Sequence, residues 1–250
     1  RLIPVLYIKN GLIVRSENFT EHKIIGNIVN EVNRYNQWDI DELVYIDISR
    51  DKTYDSRRDD HKVKRINSID EALELIAKEC FMPLSFGGGI RDFDTIKRFL
   101  KSGADKVIVN TILHKKPEVV REAVELFGSQ AIIASLDYRI ENGEMIFYME
   151  NGMEKIDKSF EEMVAWVKAL ECGEVFLTSM ANDGAGEGYD ISSIKKTVNS
   201  FGQEWSKFAD FSNQEIERIG DEYFDIANSS HFNENSIVLD LGCGSGRWTK

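Results

Sequence analysis

The stretch Met82-Pro-Leu-Ser-Phe-Gly-Gly-Gly-Ile-Arg-Asp92 decides how this chain folds. A short apolar run ends in three glycines, and a helix-period segment follows from Asp92 to Ser102. Consecutive glycines let backbone come close to a neighbour or ligand and leave N–H groups exposed. The same grammar of apolar run, polar turn and helix recurs along the chain. Leu2–Ile8 is the first apolar run. Glu42–Ile48 is followed by a helix over Ser68–Cys80. Lys106–Asn110 leads through Thr111 to a helix over Pro117–Phe127. Ala131–Leu136 stops at Asp137. Glu174–Thr178 leads into the polar loop Asn182–Gly188 and a helix from Asp190 to about Ser200. Strands alternating with helices require crossover connections and so a parallel sheet. The runs are apolar on both faces, as when each face of a sheet is covered.

The expected fold is therefore α/β. A unit of about 20 to 40 residues fits a (β/α)8 TIM barrel, which usually takes ~250 residues. Only six units fit before residue 200, so the expectation is an incomplete barrel over residues 1–200. Residues 201–250 read as a second segment. A helical stretch bearing Trp205, Phe208, Phe211 and Tyr223 precedes Val238-Leu-Asp-Leu-Gly-Cys-Gly-Ser-Gly246, a strand running into a glycine turn. That is the pattern of a truncated Rossmann-like start, cut before its second strand. Arg1 falls directly in a strand, so the N-terminus also reads as trimmed by a few residues.

Composition narrows the function. With 43 acidic against 31 basic residues the formal charge is -12, which argues against nucleic acid, whose phosphates need a basic footprint. A small phosphorylated ligand needs only local N–H groups and is compatible. Cys80, Cys172 and Cys243 are far apart and odd in number, which suggests neither a disulfide framework nor a metal site. No apolar run approaches the ~18 residues of a membrane span, and no signal peptide is visible. The expected location is the cytoplasm.

Barrel active sites lie at the C-terminal ends of the strands. Gly88 and Gly89 there, with Asn110 and Thr111 one strand over, are candidate phosphate ligands; the competing reading is a glycine hinge. Asp47, Asp137 and Asp183 each fall at or just past such an end. Three carboxylates at one mouth suit acid–base chemistry, although any one alone reads as a helix cap. Arg1, Glu42, Lys106 and Glu174 stand at the opposite ends. Their spacing alone suggests ordinary strand-end solvation.

Several motifs together resemble a known family. They are Arg1-Leu-Ile-Pro-Val-Leu-Tyr-Ile-Lys-Asn-Gly11, Asp41-Glu-Leu-Val-Tyr-Ile-Asp-Ile48, Phe86-Gly-Gly-Gly-Ile-Arg-Asp-Phe93, Ala104-Asp-Lys-Val-Ile-Val-Asn-Thr111 and Leu177–Gly184 with Gly188-Tyr-Asp190. In this order they resemble the cyclase subunit of imidazole glycerol phosphate synthase over about residues 1–200. The resemblance implies a TIM barrel paired with a glutaminase subunit. Ammonia released by the glutaminase would enter the barrel at its bottom and meet a phosphoribulosyl-formimino substrate at the top. The products would be imidazole glycerol phosphate and an aminoimidazole carboxamide ribotide.

Residue by residue, it implies an ammonia gate of Arg1, Glu42, Lys106 and Glu174, and a glutaminase interface at Asp105 and Gln130. It implies a phosphate site at Gly89, Asn110 and Thr111, beside Gly88 of the glycine run, catalysis by Asp137, and a supporting carboxylate at Asp183. Two departures stand out. The family's other catalytic aspartate falls on Tyr7, a phenol that is a poor base near neutrality, and a nearby cysteine of the motif is Val5. Strands seven and eight, with the second phosphate site, do not follow. Retained gate residues with a lost carboxylate resemble the variant cyclase-like subunits of surface-polysaccharide pathways, which pass ammonia to a sugar-amidating enzyme. The tail resembles a class I methyltransferase. Asp240, Gly242, Gly244 and Gly246 would approach S-adenosylmethionine were that domain complete; the barrel itself is expected to need no cofactor or metal. A fusion or truncation product lacking both activities is a third reading.

Overall fold

The structure, a computed structural model, describes residues 2–38, 40–50 and 66–207. Leu2–Ser193 forms one compact unit, and a second begins at Ile194. Six strands form the parallel sheet: β1 (Val5–Lys9), β4 (Leu43–Asp47), β5 (Leu84–Gly87), β6 (Lys106–Val109), β7 (Ile132–Glu141) and β10 (Glu174–Ser179). They pair in the order β1-β4-β5-β6-β7-β10, each parallel to the next. These are the six expected strands, in sequential order. Among the described residues, β10 pairs with β7 alone.

Two antiparallel additions were not expected. β2 (Leu12–Glu17) and β3 (Glu21–Asn27) extend the sheet beyond β1, and β8 (Glu144–Met149) and β9 (Glu154–Lys155) extend it beyond β7. Both begin at an Asn-Gly pair with positive φ at each residue: 53° and 83° at Asn10-Gly11, 52° and 83° at Asn142-Gly143. Such pairs favour the hairpin turn whose twist matches the strands. Through this turn β7 runs on to Glu141, so Asp137 lies inside a strand rather than just past its end.

The helices are α1 (Ile28–Gln37), α2 (Ile69–Glu79), α3 (Phe93–Lys101), α4 (Thr111–Lys115), α5 (Pro117–Phe127), α6 (Phe160–Ala169) and α7 (Ile191–Lys207). Side chains set their starts. Ser68 accepts from Glu71 N at 3.2 Å and Asp92 from Thr95 N at 2.8 Å. Ser159 and Glu162 form a reciprocal capping box, a pattern that satisfies two otherwise orphaned N–H groups. α1, α4 and α6 are additions to the expected helices, and α7 runs past Ser200.

Alternation along the strands divides the sheet into two faces. Leu43, Tyr45, Val107, Ile132 and Ala134 are fully buried on the helix-covered face. The other face carries Val44, Ile108 and Ile133, packed with Ile3, Val5, Ile46 and Phe176. This second cluster is an apolar interior, with charged residues below it and the candidate site above. Residues 201–250 contain the expected strand Val238–Leu241 and the glycine turn with Asp240, Gly242, Gly244 and Gly246; these lie outside the described residues.

Candidate active site

The interior face of β7 presents Ile133, Ser135 and Asp137 in turn. Asp137 is buried, and burial pushes its carboxyl up to about 7. Hydroxyls of Thr178 and Ser135 pull the other way, and the charge of Asp183 adds to the rise. Asn110, at the end of β6, donates Nδ2–H to Asp137 Oδ2 at 3.2 Å and to Ser135 O at 3.1 Å. A carboxyl near 7 is populated in both protonation states at neutral pH, the condition for giving and taking protons.

Tyr7 occupies the matching level of β1. Burial, then the charges of Asp183 and Asp137, raise its pKa further above that of an ordinary phenol. It is a neutral hydroxyl at any working pH. Asp183 lies in the loop after β10, where Oδ2 accepts from Ser16 Oγ at 2.5 Å and from Phe19 N at 3.3 Å. The β2–β3 hairpin therefore holds Asp183 in place. Asp47 Oδ1 accepts from Ser49 N at 3.0 Å and Oγ at 2.6 Å, a local turn of the kind aspartate forms at chain reversals.

Tyr7, Asp47, Gly88, Gly89, Asn110, Thr111, Asp137 and Thr178 line one cavity of about 90 Å³. The structure thus brings the four candidate phosphate ligands together with Asp47, Asp137 and Tyr7. Asp183 does not line this cavity, although its charge reaches both Tyr7 and Asp137. One expectation needs correction. Asn110 and Thr111 do not offer free side-chain donors. Both Asn110 N–H bonds go to Ser135 and Asp137, and the Thr111 hydroxyl donates to Asn110 Oδ1 at 3.4 Å while accepting from Glu150 N at 3.2 Å. The backbone N–H groups of Gly88 and Gly89 are then the candidate donors to an anion in this cavity. Gly88 also has a packing role: a Cβ on it would stand 2.1 Å from Asp47 O, at a φ of +106°.

A larger cavity of about 510 Å³ adjoins the first. The two share Tyr7, Phe19, Ile48 and Asn151. Its basic lining residues, Lys9, His22, Arg50 and Arg139, were not foreseen. The signal was present, because Lys9 and Arg139 each follow a singled-out residue by two and so share its strand face.

At the opposite end of the interior, Lys106 Nζ donates to Glu174 Oε1 at 2.6 Å and to Glu42 Oε2 at 3.1 Å. Ser85 Oγ donates to Glu42 Oε1 at 2.6 Å. Burial works against the charge of Lys106, but the hydrogen bonds to Glu174 and Glu42 outweigh it and raise its pKa. Three of the four expected gate residues are in direct contact, which strand-end solvation would not require; Arg1 lies outside the described residues. Asp105 and Gln130 are exposed at the same end. Asp105 also accepts from Leu84 N at 2.7 Å and so ties β6 to β5. Among the described residues no three His, Cys, Asp or Glu side chains are grouped to hold a metal, and no helix is long and apolar enough to cross a membrane.

Sequential parallel strands, an apolar interior and an acid at the strands' C-terminal ends define a barrel-type α/β enzyme. Residues 1–206 match the family described as "Histidine biosynthesis protein". The chain is 35% identical over 196 residues to the imidazole glycerol phosphate synthase subunit HisF of Exiguobacterium sp. (strain AT1b), spanning 78% of this chain and 72% of that protein. It is 37% identical over 207 residues to HisF of Staphylococcus saprophyticus, spanning 80% and 77%. For HisF of Hydrogenobaculum sp. the figures are 34% over 203 residues, 80% and 76%. The chain belongs to the histidine biosynthesis protein family, as a homologue of its imidazole glycerol phosphate synthase subunits.

Proposed function

We propose that this chain is the ammonia-using cyclase subunit of an imidazole glycerol phosphate synthase. It joins ammonia from a partner glutaminase to a phosphoribulosyl-formimino aminoimidazole carboxamide ribotide. Imidazole glycerol phosphate and aminoimidazole carboxamide ribotide are the products. The observation that carries this reading is one interior axis. It runs from the Lys106–Glu42–Glu174 cluster, past Val44, Ile108, Ile133 and Phe176, to Asp137. Apolar surroundings along this axis favour neutral ammonia over ammonium, because an unpaired ion there costs several kcal/mol. In this reading the glutaminase docks around Asp105 and Gln130, Gly88 and Gly89 take a substrate phosphate, and Asp137 moves the protons while Asp183 supports it.

Tyr7 favours a second reading. Beside two carboxylates its phenol stays protonated, so it donates a hydrogen bond but supplies no base. A barrel with gate residues and one catalytic carboxylate suits ammonia delivery to another enzyme, such as a sugar amidotransferase of surface-polysaccharide synthesis. Residues 201–250 are in either case proposed to begin a methyltransferase domain.

Cyclisation of the synthetic substrate with ammonium salt at pH 8 separates the readings. The cyclase reading expects turnover that Asp137→Asn lowers by on the order of 100- to 10,000-fold, the usual worth of a positioned acid–base group, and that Tyr7→Asp raises. Turnover indifferent to Asp137 removes the catalytic assignment. Absent turnover, with intact stimulation of a partner glutaminase, establishes the delivery reading instead.

A further inference from the structure

Lys9, Arg50 and Arg139 stand around the 510 Å³ cavity, whose lining among the described residues contains no Asp or Glu. In a chain of net charge -12 that is an unusual concentration of one sign. Elsewhere cations meet carboxylates: Arg15 and Lys23 pair with Glu17, Arg91 and Lys115 with Glu150, Arg98 with Asp70 and Lys106 with Glu42. Among the described residues no carboxylate forms an ion pair with Lys9, Arg50 or Arg139. Arg139 lies over the Tyr148 ring at 5.8 Å, which fixes its stem without neutralising its charge. Lys9 Nζ is 3.2 Å from His22 Nδ1. An ammonium has only donors, so Nδ1 is the acceptor and the neutral ring carries its proton on Nε2. Burial, then the Lys9 charge, lower the His22 pKa, with Arg50 adding to the fall and the nearby Asp183 carboxylate opposing it; the net direction is consistent with that tautomer. His22 is thus a further N–H donor lining the cavity.

The strand pleat explains the arrangement. Lys9 follows Tyr7 by two residues on β1, and Arg139 follows Asp137 by two on β7. Each pair shares a strand face. Arg139 thus stands about 7 Å beyond the acid along β7, the rise of two strand residues, and Lys9 the same distance beyond Tyr7 along β1. The 90 Å³ cavity around Asp137 is too small for a drug-sized molecule. The rim cavity falls in the range of about 300 to 1,000 Å³ typical of small-ligand sites, and like-charged groups left unpaired around such a space are a signature of anion binding.

We propose that Lys9, Arg50 and Arg139, with His22, form a phosphate-binding site at the rim of the mouth, separate from the glycine cradle at Gly88 and Gly89. The ligand is a phosphorylated small molecule whose body fills the rim cavity and whose reacting end reaches Asp137. This site goes beyond the cyclase reading and stands whether or not Asp137 catalyses.

Inorganic pyrophosphate, which cannot be cyclised, is the probe. It is titrated into the full chain by calorimetry at pH 7.5 and low ionic strength. Lys9→Gln, Arg50→Gln and Arg139→Gln each weaken binding about tenfold, the scale of one charge-assisted hydrogen bond. Lys97→Gln, an exposed lysine on α3, leaves it unchanged. Loss of affinity in Gly89→Ala with none in the three rim variants assigns the anion to the glycine cradle and overturns the proposal. So does the absence of pyrophosphate binding, or equal weakening by Lys97→Gln, which marks diffuse attraction.

Discussion

Asp137→Asn should stabilise this protein at alkaline pH while removing its acid–base group. The folded protein holds Asp137 at about 7 against an ordinary aspartate value of 3.8, chiefly through burial. Because the folded pKa is raised, the native state binds more protons than the unfolded chain between those values. Stability from this group is therefore greatest in acid and is lost as pH rises from about 4 to 7. One pH unit of pKa difference is worth about 1.4 kcal/mol. Integrated over the titration, the penalty grows by about 3 kcal/mol between pH 4.5 and 8. Asparagine keeps the acceptor that Asn110 uses at 3.2 Å and carries no charge to desolvate. Urea denaturation of both proteins at pH 4.5, 6 and 8 reads the effect as a difference. His114, lowered to about 4 by burial, contributes stability that is lost as pH falls from 6.5 to 4. That opposite slope is common to both proteins and cancels. A difference that stays constant over this range, or an asparagine variant less stable than the parent at pH 8, would show that Asp137 is neither buried nor shifted as described.

The gate cluster predicts a second contrast. Lys106→Met strands Glu42, whose side chain is 6% exposed, and should cost about 3 kcal/mol, as when a buried ion loses its partner. Glu174→Gln removes a carboxylate that is 42% exposed and should cost under ~1 kcal/mol; equal losses in chemical denaturation would contradict the geometry. At the glycine cradle, Gly88→Ala drives a Cβ against Asp47 O and should lose roughly 2 to 3 kcal/mol, while Gly89→Ala meets open space and costs only the ~1 kcal/mol of its positive φ. Thermal melts of the two variants that coincide would refute this ordering.

The sequence by itself determined the parallel frame. Apolar runs covered on both faces, punctuated by capped helices, have few arrangements open to them, and all six strands and their order were legible. Asn10-Gly11 and Asn142-Gly143 announced the hairpins, and Ser159 with Glu162 announced α6. Both hairpins and α6 are insertions into the strand–helix repeat, so its periodicity does not contain them. The site was legible as residue types at strand ends. Gly88, Gly89, Asn110, Thr111 and Asp137 do meet there, and Glu42, Lys106 and Glu174 meet at the other end.

Only the tertiary structure decided how those residues stand to one another. Ser16 reaches Asp183 across 167 positions, and Lys106 reaches Glu174 across 68. No local pattern encodes such pairs. Nor could spacing show that the donors of Asn110 and Thr111 are committed internally, or that Lys9, Arg50 and Arg139 line one cavity. The pKa of Asp137 is tertiary in the same sense. Desolvation depends on what surrounds a group in three dimensions, and the strands that bury Asp137 come from distant parts of the chain.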